Sequence, residues 1–180
     1  MDDWKKKYAK NNKKPFSSFE EFKKKILENW STIHGIPKDT PKGVVNTILH
    51  SLGFEENYLI GELNKRLIEN GGAKDVILSI SNFSYIISRH GSDFINADVL
   101  LNMPLVLSNY DVVTKGKKQL YGDFVFYKIF EDGKYGIEMN INKISDESDE
   151  YIVHYLMVGH KRNKLLKKYL MSDTLVDKRK

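Results

Sequence analysis

Hydrophobic positions repeat at helical spacing in the first third of the chain, and at alternating or consecutive positions in its last half. Ser17 and Ser18 offer N-caps, and Glu20 and Glu21 are first-turn acids suited to a helix dipole. Phe19, Phe22, Ile26 and Trp30, with Leu27 and Ile33 close by, carry that helix to Gly35. Thr40-Pro41 reads as N-cap and first position of a second helix, through Val44, Val45, Ile48, Leu49 and Leu52 to Gly53. A third helix is expected over Tyr58, Leu59, Leu63, Leu67 and Ile68, ending at Gly71-Gly72.

After Gly72 the texture changes. Val76 to Ile80 is a short β-prone run, and Asn82 to Ser88 suits a helix leading into Arg89-His90-Gly91. Ala97 to Leu107 suits another, interrupted by Pro104. Strands follow: Asp111 to Thr114, then Asp123 to Phe130 and Tyr135 to Asn142 flanking the turn Glu131-Asp132-Gly133-Lys134, then Tyr151 to Val158. Strands joined by hairpin-length loops pair antiparallel. The expected fold class is α+β, an N-terminal helical unit followed by a small antiparallel β-sheet packed against helices. The expected divisions are a flexible basic arm over 1–15, the helical unit over 16–72, an α+β domain over 73–160 and a basic tail over 161–180. Leu165, Leu166, Tyr169 and Leu170 form the apolar side of that tail.

Composition sets limits on this picture. With 180 residues, 41% of them hydrophobic, the chain can bury a real core. Zero cysteine excludes a disulfide framework, a thiolate zinc site and a cysteine nucleophile. No apolar run approaches the roughly 18–20 residues of a spanning helix, so no membrane partner and a cytoplasmic location are expected. The net charge of +5 is unevenly spread: residues 1–25 carry nine Lys against four acids, and 161–180 carry eight Lys/Arg against two. The middle, 26–160, has twelve basic and eighteen acidic residues. Basic ends on an acidic body serve solubility as readily as nucleic-acid binding.

No GxGxxG, P-loop, HExxH, GxSxG or EF-hand loop is present, and neither a cofactor nor a metal is expected. Asp146, Glu147, Asp149 and Glu150 lie on a serine-containing loop with no histidine pair beside them, where carboxylates are solvated. His34 and His50 stand near helix ends, the place of a C-terminal cap. His90 ends an amphipathic helix before a glycine, and His160 follows Gly159 beside Lys161 and Arg162. His154 lies mid-strand, where alternation puts Tyr151, Val153 and Tyr155 on one face and Ile152, His154 and Leu156 on the other. Each histidine also has a plain structural role, as helix cap, packed strand residue or surface residue. Together they permit metal-free RNA cleavage: two imidazoles and a Lys or Arg supply a base for the 2′-hydroxyl, an acid for the leaving 5′-oxygen and a cation near the phosphorane.

From Val76 to Arg162 the succession ILSISNFSYIISRHG, NADVLLNMPLVLSNYDVV, FVFYKIFEDGKYGIEMNI and YIVHYLMVGHKR resembles the phage branch of the barnase–EndoU–colicin–RelE nuclease superfamily. Ser79, His90 and Ser108-Asn109-Tyr110-Asp111 stand at places comparable to the family's strand serine, helix-end histidine and turn. The chain departs at the last strand, where Met157-Val158-Gly159-His160-Lys161-Arg162 replaces the family's Ser or Thr before a basic residue. Either His160 or Arg162 then takes the phosphate contact, or catalysis is lost. The resemblance implies a metal-independent, toxin-like endoribonuclease of phage or mobile-element origin, acting on tRNA or mRNA. By it His90 is the leading catalytic residue and His154 the partner acid or base, with His160 beside them. Lys128 and Arg162 would stabilise charge, Arg89 and Lys161 would contact phosphate, and Tyr127 and Tyr155 would stack on an unpaired base. Most of the nineteen Phe and Tyr serve packing all the same.

The alternative is a catalytically inactive, phage-encoded binding or inhibitor protein directed at a host or defence complex. The acidic middle would then imitate nucleic acid toward a basic partner. In the ribonuclease reading the N-terminal helices would serve positioning or the binding of a protein partner. A DNA-binding regulator using the helices at 40–70 lacks a recognition helix rich in Arg, Asn or Gln.

Overall fold

The spacing of Phe22, Ile26 and Ile33 yields α1 (Phe19–His34), which buries those three residues along one face. The computed structural model describes residues 16–67, 75–94, 96–115, 124–130, 135–143, 150–159 and 175–178. Ser18 is the N-cap of α1, its hydroxyl accepting from the Glu21 N–H at 3.2 Å. The second helix, α2 (Lys42–Ser51), starts one residue later than Thr40-Pro41 suggests. Pro41 is the cap itself, and its carbonyl accepts from the N–H groups of Val44 and Val45. Lys25 of α1 donates to the Leu52 carbonyl at the end of α2, a cation placed at the negative end of a helix. Its ammonium fills the space beside Gly53, whose φ of +89° favours glycine.

Over the described residues 57–67 the expected third helix is absent. Asn57–Glu62 forms a strand, β1, followed by a short 3₁₀ turn over Lys65–Leu67. Tyr58 and Ile60 are buried and their neighbours are not, a period of two that helical counting of the leucines obscured. The remaining strands are β2 (Asp75–Ser79), β3 (Val112–Lys115), β4 (Phe124–Phe130), β5 (Tyr135–Lys143), β6 (Glu150–Gly159) and β7 (Leu175–Lys178). The turn 131–134 between β4 and β5 lies outside the described residues, but the pairing from Phe124↔Ile141 to Phe130↔Tyr135 is that of a hairpin. Between β2 and β3 come α3 (Ile80–His90), α4 (Asp98–Leu101) and α5 (Met103–Ser108). Pro104 falls in the first turn of α5, where its missing N–H costs nothing.

The fold is α+β, with a sheet ordered β1-β2-β6-β5-β4-β3-β7. Every neighbouring pair is antiparallel except β2 and β6, which run parallel, so the expected all-antiparallel sheet is corrected to a mixed one. Valines, isoleucines and leucines bury β2 on both faces: Val76 and Leu78 join the main core, and Ile77 joins Ile152 in a second cluster. β1 pairs with β2 across the expected boundary at residue 72, and one core runs from Phe22 and Leu49 through Phe83 to Phe126, Ile137 and Leu156. The helices before β1 therefore share their core with the sheet. Four rings knit this junction: Phe22 of α1, Phe54 after α2, Tyr58 of β1 and Phe83 of α3.

β7 lies within the stretch expected to be a basic tail. It pairs antiparallel with β3, and Asp177 fixes it: the Tyr110 hydroxyl donates to its carboxylate, and Arg66 pairs with it at 3.1 Å. Residues 160–174 and the arm over 1–15 lie outside the described residues.

The β5–β6 register shifts between Asn140↔Tyr155 and Ile141↔Val153, which makes His154 the extra residue of a β-bulge. The shift corrects the expected faces. Val153 and Leu156 both join the main core, and Ile152 joins the other cluster, so simple alternation from Ile152 to Leu156 does not hold.

Candidate functional site

The C-terminal end of α3 holds the chemistry-bearing group that the sequence singled out. Ser79, the last residue of β2, is also the N-cap of α3, and its hydroxyl accepts from the Asn82 N–H at 3.1 Å. The helix thus leaves the sheet without a loop. Asn82 then donates to the Val153 carbonyl of β6, anchoring this end. Ser84 and Ser88, four residues apart, turn small side chains toward the α2 side; Ser84 reaches Asn46, and Ser88 donates to the Thr40 carbonyl at 2.6 Å. The far end is held by the turn before α2, where the Asp39 N–H donates to the Ser88 carbonyl. Asp39 has a φ of +64°, a left-handed conformation that aspartate tolerates better than most residues.

This frame brings two turns together. The 3₁₀ turn Gly91–Asp93 returns Asp93 toward the preceding helix, where its carboxylate meets His90 Nδ1 at 3.3 Å. Lys38 Nζ approaches the same carboxylate oxygen at 3.9 Å, and Arg89 pairs with Asp39 at 3.2 Å. The Arg89 guanidinium also lies 5.9 Å from the centre of the Tyr85 ring. A cation at a helix C-terminus is favoured by the dipole, which suits Arg89 in the last turn. His90 keeps 20% of its side-chain surface exposed. A carboxylate on Nδ1 selects the tautomer with the proton on that nitrogen, making Nε2 the basic one. The arrangement can accept a proton at an oriented imidazole, with the Lys38 ammonium on the orienting carboxylate and the Arg89 guanidinium on the neighbouring Asp39.

Beyond Asp93, the Phe94 carbonyl lies 2.9 Å from His34 Nε2. The His34 ring in turn sits 5.2 Å from that of Trp30, tilted by 33°. Rather than capping α1, whose C-cap is Gly35, His34 ties the helix to the turn that carries Asp93.

The other expected site residues fall elsewhere. Tyr127 is a correction: it is fully buried, and its phenol fills the space that a Cβ on Gly136 would take, so no base can stack on it. Lys128, its neighbour on β4, shares a face with Phe126 and Phe130, and its ammonium lies 5.5 Å from the Phe130 ring centre. Neither joins the Asp93, Lys38 or Asp39 contacts of the α3 end. His154 and Tyr155 are described by backbone only, on β6 at and beside the bulge. His160, Lys161 and Arg162 lie outside the described residues, as do Asp146, Glu147 and Asp149. Ser79, Tyr110 and Asp111, matched by the resemblance, all carry structural bonds, Asp111 through its carboxylate to the Ile129 N–H at 2.7 Å.

Sequence reasoning missed Asp93 and Lys38. Asp93 follows His90 by three residues, a spacing that suits contact in helix-like geometry. Lys38 is distant in sequence and carries no such signal. Among the described residues no three His, Asp or Glu side chains gather to hold a metal ion, and no helix is long and apolar enough to cross a membrane. No protein-family model matches the chain, and neither the curated proteins nor the solved structures compared with it give a match.

Proposed function

We propose that the protein is a metal-independent endoribonuclease, toxin-like and of phage or mobile-element origin, with His90 as its proton-transfer group. The observation that supports this reading is the His90–Asp93 pair at a helix end, with Lys38 on the same carboxylate and Arg89, the residue before His90, on Asp39 next to Lys38. His90 Nε2 takes the proton of the RNA 2′-hydroxyl, and the 2′-oxygen attacks the adjacent phosphorus. The bond to the 5′-oxygen breaks, that oxygen takes up a proton, and a 2′,3′-cyclic phosphate remains. Lys38 and Arg89 offset the charge gathering on the phosphorane oxygens. Exposed ion pairs are worth only about 0–1 kcal/mol, so a phosphate draws both cations from their carboxylates at small cost. His154, on the bulged strand, is the acid that the sequence offers for the leaving group. Without cysteine, this chemistry suits a reducing cytoplasm.

The test is cleavage of tRNA and mRNA in EDTA, with analysis of the ends. The wild type leaves cyclic phosphates, His90→Ala loses activity, and Asp93→Asn lowers kcat by about 10²-fold or more, as expected when acid–base catalysis loses its oriented group. Full activity in His90→Ala would overturn the assignment. A second reading, the catalytically silent binding or inhibitor protein, is favoured by two observations: Tyr127 is buried, and Lys128 shares no described contact with the His90 cluster. No turnover by the wild type, together with tight binding to one protein of a host or defence complex, would establish that reading.

A further inference from the structure

We propose that Trp30 and His34 form a base-stacking platform for an unpaired nucleotide, placed beside the phosphate that Lys38 and Arg89 receive. The inference rests on the RNA reading above and adds how that substrate is held.

The two rings pack against one another, with centres 5.2 Å apart and a 33° tilt, the imidazole exposed and the indole half-buried. Trp30 packs against the main core, and His34 is fixed through Nε2 to the Phe94 carbonyl. Both plates are therefore pre-oriented, and a third plate can be added without first ordering two side chains. The position follows from the chain itself. Phe94 fixes His34 and Asp93 fixes His90, so consecutive residues, whose Cα atoms lie about 3.8 Å apart, anchor the outer ring of the pair and the reactive imidazole. Lys38 reaches the same Asp93 carboxylate from the turn that follows α1.

This juxtaposition of a planar aromatic surface, two cations and an imidazole matches the chemistry of one nucleotide in a single strand. Its base has an open π-face, its phosphate is anionic, and its 2′-hydroxyl needs a base. A duplex, whose bases are stacked and paired, presents no free face to such a platform. An acidic peptide would use the cations and leave the rings idle. The platform also supplies the aromatic contact that the buried Tyr127 cannot.

Binding is read apart from cleavage with a short oligothymidylate, which has no 2′-hydroxyl. Trp4→Phe leaves Trp30 as the single tryptophan reporter in the full chain. Oligothymidylate is expected to quench Trp30 emission and to bind about tenfold more tightly than an abasic deoxyribose-phosphate oligomer of equal charge, in line with the usual worth of one stacked base. His34→Ala should remove that tenfold advantage while leaving the abasic affinity unchanged. His34→Phe, which keeps a ring but lacks the bond to Phe94, should retain most of it. Equal affinity for the two oligomers, or base preference surviving in His34→Ala, would overturn the platform. The two readings fail separately: base-selective binding without RNA cleavage removes the ribonuclease alone, and cleavage with base-blind binding removes the platform alone.

Discussion

Replacing Phe22 by alanine tests whether the N-terminal helices and the sheet fold as one body. Phe22 is on α1, fully buried, with ring centres 5.1 Å from Tyr58, 5.3 Å from Phe83 and 6.2 Å from Phe54. Truncating a buried phenylalanine costs about 3–5 kcal/mol through lost transfer energy and the cavity left behind. Four neighbouring rings, Phe19 included, lose a partner, and since tilted or edge-on contacts add to area burial the loss falls in the upper part of that range, at about 4 kcal/mol or slightly more. Domains of ordinary stability hold only about 5–15 kcal/mol, so this is a large share of the whole. With a urea slope of about 2 kcal/mol/M, the midpoint should fall by about 2 M. The assay is equilibrium unfolding followed by far-ultraviolet circular dichroism, for helices and sheet together, and by tryptophan emission, to which Trp30 on α1 contributes. A shared core requires the two curves to move together as one transition. A loss below about 1.5 kcal/mol, or an α1 signal that melts while the sheet signal stays, would refute the reasoning and restore an independent helical unit.

Two further outcomes follow from single contacts. Ser79→Ala removes the hydroxyl that caps α3 and should cost about 1 kcal/mol, with faster amide exchange in the first turn of the helix that carries His90; unchanged exchange there would contradict the cap's role. Burial is the main cause that raises the Tyr58 phenol above its ordinary 10.0, with the Glu55 N–H bond opposing it and the Glu55 and Glu21 charges adding to it. The native state thus holds this proton more tightly than the unfolded chain. Its stabilising effect is complete below about pH 10 and disappears as pH rises through the raised value. Tyr58→Phe should flatten that alkaline loss in a denaturation series, at the cost of about 1 kcal/mol near neutrality for the missing bond, and an unaltered alkaline limb would exclude Tyr58 as its source.

The strands from β3 to β6 were legible because each satisfies its pattern locally: alternating or continuous apolar residues between turn residues. β1 was not, since its six residues contain Gly61 and overlap a leucine series that also fits a helix turn. Its conformation is decided by the exposed edge of β2, which a reading of local periodicity does not see. The bulge at His154 is a matter of register, set by where β5 pairs with β6 and invisible in β6 alone. At the candidate site His90 was readable as a helix-end histidine before a glycine. Its environment was not, because Lys38, Asp39 and His34 meet Asp93, Arg89 and the Phe94 carbonyl only through tertiary packing. Tyr127 shows the converse: an aromatic residue on a strand beside a lysine looks available for stacking until Gly136 opens a slot that buries it.

The latch at Asp177 also bears on the order in which the protein is made. It joins β7 to Arg66 across 111 residues, and β7 occupies the edge of the sheet beside β3. A ribosome delivers β3 and its partner β4 well before residues 175–178 exist. During that interval the outer edge of β3, with the buried valines Val112 and Val113, has no β7 to satisfy its backbone groups. Unpaired apolar edges are where nascent chains recruit one another. The growing chain therefore passes through a stage open to edge-to-edge association, which ends only when its last described strand emerges and Asp177 closes onto Tyr110 and Arg66.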